Sequence, residues 1–155
     1  MEIATTYSNL AQTLNGLGAH EKSLDYYSRA LKILREKFGE IHIKIMKNLL
    51  GIANSYIQLN DLEKAKLYYE DSYKMAKIIN GESTVALDTA KAMAGLGSLY
   101  LCNGELKKSM EFTQNSWKML IELNEGTKNK SYKLELAMVL NNLGKQNVFK
   151  KYLIL

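Results

Sequence analysis

The sequence of 155 residues contains no proline and a single cysteine, Cys102. Without proline, no residue lacks a backbone N–H or has a fixed φ angle, which favours long uninterrupted helices. A lone cysteine excludes an internal disulfide. No apolar run approaches the roughly 20 residues that a membrane helix needs, and the N-terminal stretch lacks the pattern of a signal peptide. We therefore expect a cytoplasmic protein that does not bind a membrane.

Residues that commonly catalyse reactions or bind metals are also scarce. His20 and His42 are the only histidines, and each falls in a predicted hinge or link between helices. Neither has cysteine or carboxylate partners at the spacing that a metal site needs. The glycine pairs that flank Leu17 and Leu96 follow no predicted strand, so they do not indicate a phosphate-binding loop. We therefore predict no enzymatic activity, no metal site and no cofactor.

The formal net charge is +5, and the basic residues, mostly lysines, are spread along the chain. A nucleic-acid surface usually needs a clustered basic stripe with stacking aromatic residues. The even distribution instead favours a solvated basic surface that prefers acidic partners. We therefore predict a protein or peptide partner of acidic character, and no nucleic acid.

One turn motif occurs three times, at residues 18–23, 60–65 and 104–109. Each copy opens with a residue that tolerates the left-handed conformation ending a helix, Gly18, Asn60 or Gly104. Asp61 is predicted to cap the helix that follows it. Around the hinges, small residues recur at spacings of 42, 44 and 47: Ala11, Ala53, Gly97 and Gly144; Ser23, Ala65 and Ser109; Ala30, Ser72 and Ser116. Small side chains let two antiparallel helices pack closely, so each hinge is predicted to join such a pair.

Apolar residues at helical spacing predict helices around these hinges. The expected spans are 3–16, 21–38, 41–59, 62–79, 84–101 and 106–123, followed by a polar loop over 124–131 and a seventh helix from Tyr132. In the first helix the predicted inward side consists of Tyr7, Leu10, Ala11, Leu14 and Leu17.

Two segments carry a family resemblance: Tyr7-Ser8-Asn9-Leu10-Ala11-Gln12-Thr13-Leu14 and Tyr26-Tyr27-Ser28-Arg29-Ala30-Leu31-Lys32-Ile33. They resemble the two helices of a tetratricopeptide repeat of the kinesin-light-chain type, about 42 residues long. Gly39-Glu40-Ile41-His42 looks like the link of that family, although Ile43 stands where the family has proline. In the third repeat Thr113 takes the position of an aromatic residue.

The resemblance covers nearly the whole chain and implies an all-α fold. The expected architecture is a right-handed superhelical solenoid of antiparallel helix pairs, with about seven helices in a single domain over residues 1–155. Its repeats would span about 3–44, 45–88 and 89–136, with a partial fourth over 137–155.

The resemblance also implies that ligands lie on the concave groove formed by the first helix of each repeat. Its polar and basic positions are Ser8, Asn9, Gln12, Lys47, Asn54, Lys91, Ser98, Asn141, Asn142 and Lys145. Asparagine can donate to and accept from a peptide backbone, and lysine supplies charge for an acidic residue. The sequence therefore predicts a non-catalytic scaffold module that binds a protein or peptide.

Two other functions remain open. The chain can be a structural fragment that assembles within a larger repeat array, or a regulator whose groove senses a short peptide. The apolar segment 148–155 bears on the first alternative, because an end repeat has no neighbour to cover it. We expect self-association through the C-terminal helix, or membership of a longer array.

Overall fold

The computed structural model describes residues 2–81 and 86–127, together with Val139, Asn141 and Gly144; for 124–127 it describes the backbone alone. This part is all-α, as predicted, and contains six helices: α1 (Glu2–Gly16), α2 (His20–Phe38), α3 (Ile43–Gln58), α4 (Leu62–Asn80), α5 (Leu87–Cys102) and α6 (Leu106–Thr127). They form two compact units, Met1–Ile79 and Asn80–Leu155, so that α1 to α4 belong to the first and α5 and α6 to the second. The single-domain organisation stays a prediction.

The three hinges have the backbone conformation that the sequence predicts. Gly18, Asn60 and Gly104 have φ angles of 81°, 58° and 74°. In each hinge the next residue donates its N–H five residues back, over 2.8–2.9 Å, as in Ala19 to the carbonyl of Leu14. This bond closes the preceding helix and turns the chain into the next one.

The small residues of the first three repeats lie where paired helices meet, which confirms the predicted register there, whereas Gly144 of the partial fourth repeat is exposed. Eight of these small residues are 0% exposed: Ala11, Ala53, Ser23, Ala65, Ser109, Ala30, Ser72 and Ser116. At Gly97, α5 and α6 approach each other closely. A Cβ added there would lie 2.3 Å from the hydroxyl oxygen of Thr113 on α6.

Serines at these sites also donate hydrogen bonds to the backbone of the partner helix. The Ser23 hydroxyl donates to the carbonyl of Ala11 over 2.7 Å, and Ser109, its counterpart, donates to Gly97 over the same distance. Ser72 and Ser116 donate to carbonyls 26 residues earlier, at 3.2 and 2.8 Å. The serines therefore add direct bonds between helices at sites that the sequence marks only as small.

The helix ends differ from the prediction by more than one residue at three places. α3 begins at Ile43 and not at 41, because His42 is extended and caps the helix through Nδ1, 3.2 Å from the N–H of Lys44. α5 begins at Leu87 and not at 84, after an extended Ala86. α6 continues to Thr127, so the loop predicted over 124–131 is wrong for its first four residues. Glycine lowers helix propensity without removing a hydrogen bond, and Gly126 does not stop the helix.

Two residues of the predicted inward side of α1 are exposed. Leu10 is 38% exposed and Leu17 is 76% exposed, whereas Ala11 is fully buried. Leu10 is the counterpart of the buried Ile52 on α3. The two residues therefore occupy equivalent positions, but the helices that cover Ile52 have no equivalent over Leu10 in the described residues. The predicted seventh helix lies outside the described residues except for three helical positions, of which Val139 is buried beside Ala90 and Leu120.

Candidate peptide-binding surface

The predicted ligand positions on α1 form one side of that helix. Ser8 is half-buried, while Asn9 and Gln12 are exposed. The hydroxyl of Ser8 lies 2.9 Å from the carbonyl oxygen of Ala4 and 3.0 Å from Oδ1 of Asn48, and its single proton serves these two acceptors. Ser8 therefore joins α1 to α3, while Asn9 and Gln12 present their amide groups to solvent.

The predicted positions on α3 are Lys47 and Asn54, seven residues apart and both exposed. Residues at this spacing lie on the same side of a helix. The amide oxygen of Asn54 accepts a hydrogen bond from the hydroxyl of Tyr69 on α4, whose side chain is 3% exposed. A buried tyrosine thus fixes the orientation of this amide, and the NH₂ group keeps its two donors for another acceptor.

Asn48 is a polar residue of this region that the sequence reasoning missed. It is 3% exposed, and its Nδ2 donates to the carbonyl of Lys44 over 2.8 Å while its Oδ1 accepts from Ser8. Both ends of the amide are therefore paired, as a buried polar group requires. Its position three residues after Ile45 and four before Ile52 puts it on an apolar stripe, and this spacing is the signal that could have identified it.

A shallow cleft lies between α1 and α3. Its volume is about 350 Å³, and Glu2, Thr5 and Thr6 of α1 line it together with Lys44 of α3. The Lys44 amine donates to the hydroxyl of Thr5 over 3.3 Å. The cleft therefore offers hydroxyl groups, one ammonium and one carboxylate for polar contacts.

The remaining predicted positions belong to the second unit. Lys91 and Ser98 lie on α5, seven residues apart, and both are half-buried. Asn141 is helical and exposed. Asn142 and Lys145 lie outside the described residues. Within the first unit, Ser8 thus bonds to α3. Lys91 and Ser98 lie together on α5 in the second unit.

The two histidines act at helix ends, as the sequence indicates. His20 is the first residue of α2, and its Nδ1 donates to Oδ1 of Asn15 over 2.6 Å. His42 caps α3, and its ring stacks on Phe38 with centroids 3.9 Å apart. In residues 2–81 and 86–127 no three histidine, cysteine, aspartate or glutamate side chains cluster in a way that can hold a metal ion. Cys102, the last residue of α5, is exposed.

The clearest perturbations of ionisable groups also lie at helix ends and interfaces. Asp61 accepts from both the amine and the backbone N–H of Lys64, at 2.7 and 3.2 Å, and these bonds lower the pKa of its carboxyl group. The same pair raises the pKa of the Lys64 amine. Asp61 thus caps α4, as predicted. Burial raises the pKa of the Tyr27 hydroxyl, whose ring packs against Gly51. These are structural roles, and none of the perturbed groups lies in the cleft.

None of the helices in the part that the structure describes is both long and apolar enough to cross a bilayer. No curated protein matches this chain.

Comparisons with known folds agree with the helix-pair architecture. The tetratricopeptide-repeat family model matches residues 2–78. The crystal structure of BtubC (BKLC) from P. vanneervenii superposes with a TM-score of 0.78 and 24% sequence identity, covering 92% of this chain. The chain spans about half of BtubC, 54% of its length. The register of small residues, the three hinges and these matches lead to one assignment: over residues 2–78 the chain belongs to the tetratricopeptide-repeat family.

Proposed function

We propose that this chain is a non-catalytic scaffold module of the cytoplasm that binds an extended acidic peptide along the first helices of its repeats. Tetratricopeptide repeats are, as a class, scaffolds for protein interaction, and the family match supports this general role. The surface that we propose for the peptide in the first unit consists of Asn9 and Gln12 on α1 with Lys47 and Asn54 on α3.

The orientation of Asn54 is the observation that carries the proposal. Tyr69 donates a hydrogen bond to the amide oxygen of Asn54, and Asn54 is exposed. An amide that is fixed before binding loses little side-chain entropy when it meets a peptide carbonyl. Gln12 is the counterpart of Asn54 in the first repeat, 42 residues earlier, and it is also exposed. Two amides at equivalent positions of adjacent repeats can bond the backbone of an extended peptide without reading its sequence.

The charge of this surface supports an acidic ligand. Lys47 is exposed on the same side of α3 as Asn54, and Lys44 borders the cleft beside α1. The chain as a whole carries a net charge of +5. Lysine contributes a mobile point charge, which favours acidic side chains through long-range attraction rather than fixed geometry. We propose the same role, contact with the acidic peptide, for the predicted positions of the second unit: Lys91, Ser98, Asn141, Asn142 and Lys145.

The test is the affinity of a fluorescent library of acidic decapeptides, measured by anisotropy at low and moderate salt. Lys47→Glu should weaken binding by about tenfold at low salt, since it replaces an attraction with a repulsion, and by less when salt screens the charges. Asn54→Ala should weaken binding at both salt concentrations, because a neutral hydrogen bond is not screened.

Lys32→Glu is the matched control, because Lys32 is exposed on α2, a second helix of its repeat. It changes the net charge as Lys47→Glu does, so it separates a local effect from a general one. Equal losses for Lys32→Glu and Lys47→Glu would contradict a surface on the first helices. Equal binding of a basic decapeptide library would contradict the acidic ligand.

A further inference from the structure

The outer face of α1 carries an apolar stripe in contact with solvent. Ile3, Leu10 and Leu17, seven residues apart, are 61%, 38% and 76% exposed. Thr6 and Thr13 lie between them and are also exposed. These five residues, of which Leu17 directly follows the end of the helix, are here called the outer face of α1, and none of their side chains is charged. An uncharged exposed stripe of this kind usually marks an interface.

The chain contains a second version of this face, on α3, and there four of its five positions are buried, while Leu59 at its end is 38% exposed. A shift of 42 residues carries the five positions onto Ile45, Asn48, Ile52, Ser55 and Leu59. The first four are between 0% and 3% exposed. The two versions also share one local hydrogen bond. The Thr13 hydroxyl donates to the carbonyl of Asn9 at 3.0 Å, as the Ser55 hydroxyl does to that of Gly51 at 3.2 Å.

The elements that cover the face on α3 are α1 and α2. From α2, the hydroxyl of Ser23 lies 3.3 Å from that of Ser55. Ile45 and Ile52 share one core cluster with residues of α2, among them Leu31 and Leu34. From α1, Ser8 bonds Asn48. A single tetratricopeptide helix pair thus covers this alternation of apolar and small polar residues.

We infer that the outer face of α1 is an interface for one further tetratricopeptide helix pair, with the chemistry of residues 3–44, that packs on α1 as α1 and α2 pack on α3. The second helix of that pair covers Leu10 and places a small residue opposite Thr13, where Ser23 meets Ser55. Its first helix meets Thr6, where Ser8 meets Asn48. This interface is separate from the proposed peptide surface, which uses other sides of α1 and α3.

The experiment extends the full chain by one repeat. A second copy of residues 3–44 is inserted directly before Ile3, so that Lys44 of the inserted copy precedes Ile3 as it naturally precedes Ile45. Leu10→Ser is then made either in the original copy, now internal, or in the inserted copy, now terminal. Urea unfolding is followed by circular dichroism.

The internal substitution should raise the unfolding equilibrium constant at least about tenfold, because it removes a buried leucine side chain. The terminal one should raise it much less, because Leu10 is partly exposed there. Equal effects at the two positions would overturn the inference.

Two measurements on the natural chain keep the inference testable if the extended chain does not fold. Leu10→Ser should lower its urea midpoint only slightly, because Leu10 is partly exposed, whereas Ile52→Ser, at the covered equivalent, should lower it clearly. Equal losses would show that the outer face of α1 is already covered, and would refute the inference. Sedimentation over a range of concentrations tests a second copy as the occupant. A dimer of the natural chain that Leu10→Ser abolishes would also overturn the further helix pair.

Discussion

The close approach of α5 and α6 at Gly97 gives a prediction with an unusual sign. In an exposed helix, glycine to alanine stabilises by about 1 kcal/mol, because alanine has the higher helix propensity. In this structure the new Cβ would lie 2.3 Å from the Thr113 hydroxyl oxygen and 3.3 and 3.4 Å from backbone atoms of Thr113 and Ser109. Overpacking of this kind costs about 1–3 kcal/mol, so Gly97→Ala should be neutral to destabilising by about 2 kcal/mol.

A second substitution identifies the cause. Thr113→Ala removes the atom that the new methyl group would overlap, and leaves only the two contacts above 3.2 Å. Gly97→Ala should then cost much less in the Thr113→Ala background than in the wild type. The difference, obtained from a double-mutant cycle, should be about 1 kcal/mol or more.

Trp117 provides the assay. It is the only tryptophan, lies on α6 and packs against the cluster of Ala90 and Leu120, so its fluorescence reports on the α5–α6 unit during urea unfolding. Gly16→Ala is the control, because Gly16 is helical and has no atom within 4 Å of an added Cβ; since Gly16 lies in the first unit, its unfolding is followed by circular dichroism. If Gly97→Ala stabilised the protein as Gly16→Ala should, or cost the same in both backgrounds, the packing argument would be refuted.

Three further predictions concern the first unit. Ala65→Leu should lower stability by about 1–3 kcal/mol through overpacking, because Ala65 is 0% exposed, and a wild-type melting temperature would show that the register of small residues is wrong. His42→Ala should cost about 1 kcal/mol by removing the cap of α3, and His42→Asn, which keeps a capping acceptor, should recover part of it in thermal melts; equal losses would assign the effect to the Phe38 stack alone. Asp61 has a lowered pKa when folded, so its contribution is fully present above its unfolded pKa, near 3.8, and is lost as the pH falls through the lower folded value. The difference in stability between wild type and Asp61→Ala should therefore shrink as the pH falls below about 3.8, and a difference that stays constant down to pH 2 would contradict the role of the carboxylate.

The fold follows closely from the sequence because its determinants are local. Gly18, Asn60 and Gly104 mark the hinges through their tolerance of positive φ, and the small residues at constant spacing mark the helix contacts. The end of α6 was predicted less well, since nothing local forces a helix to stop at Leu123 when its hydrogen bonds can continue.

The candidate surface was less predictable, because its geometry depends on contacts between distant residues. Position on the helix indicates that Asn54 is exposed, but not that Tyr69 holds it. Asn48 is a polar residue, yet it is buried. Its burial is possible because it bonds to Ser8, which lies 40 residues away in the sequence, so no local pattern indicates it. Leu10 illustrates the converse, because its pattern predicts burial whereas burial also requires a helix that covers it.

The central claim is that peptide binds along the first helices of the repeats, and photocrosslinking tests it most directly. Acidic decapeptides that carry a benzophenone side chain are bound, irradiated and mapped by mass spectrometry. The account predicts adducts on α1 and α3, concentrated near Gln12, Lys47 and Asn54, and their loss when unlabelled peptide competes. Adducts mainly on α2 and α4, or adducts that competition does not reduce, would contradict it.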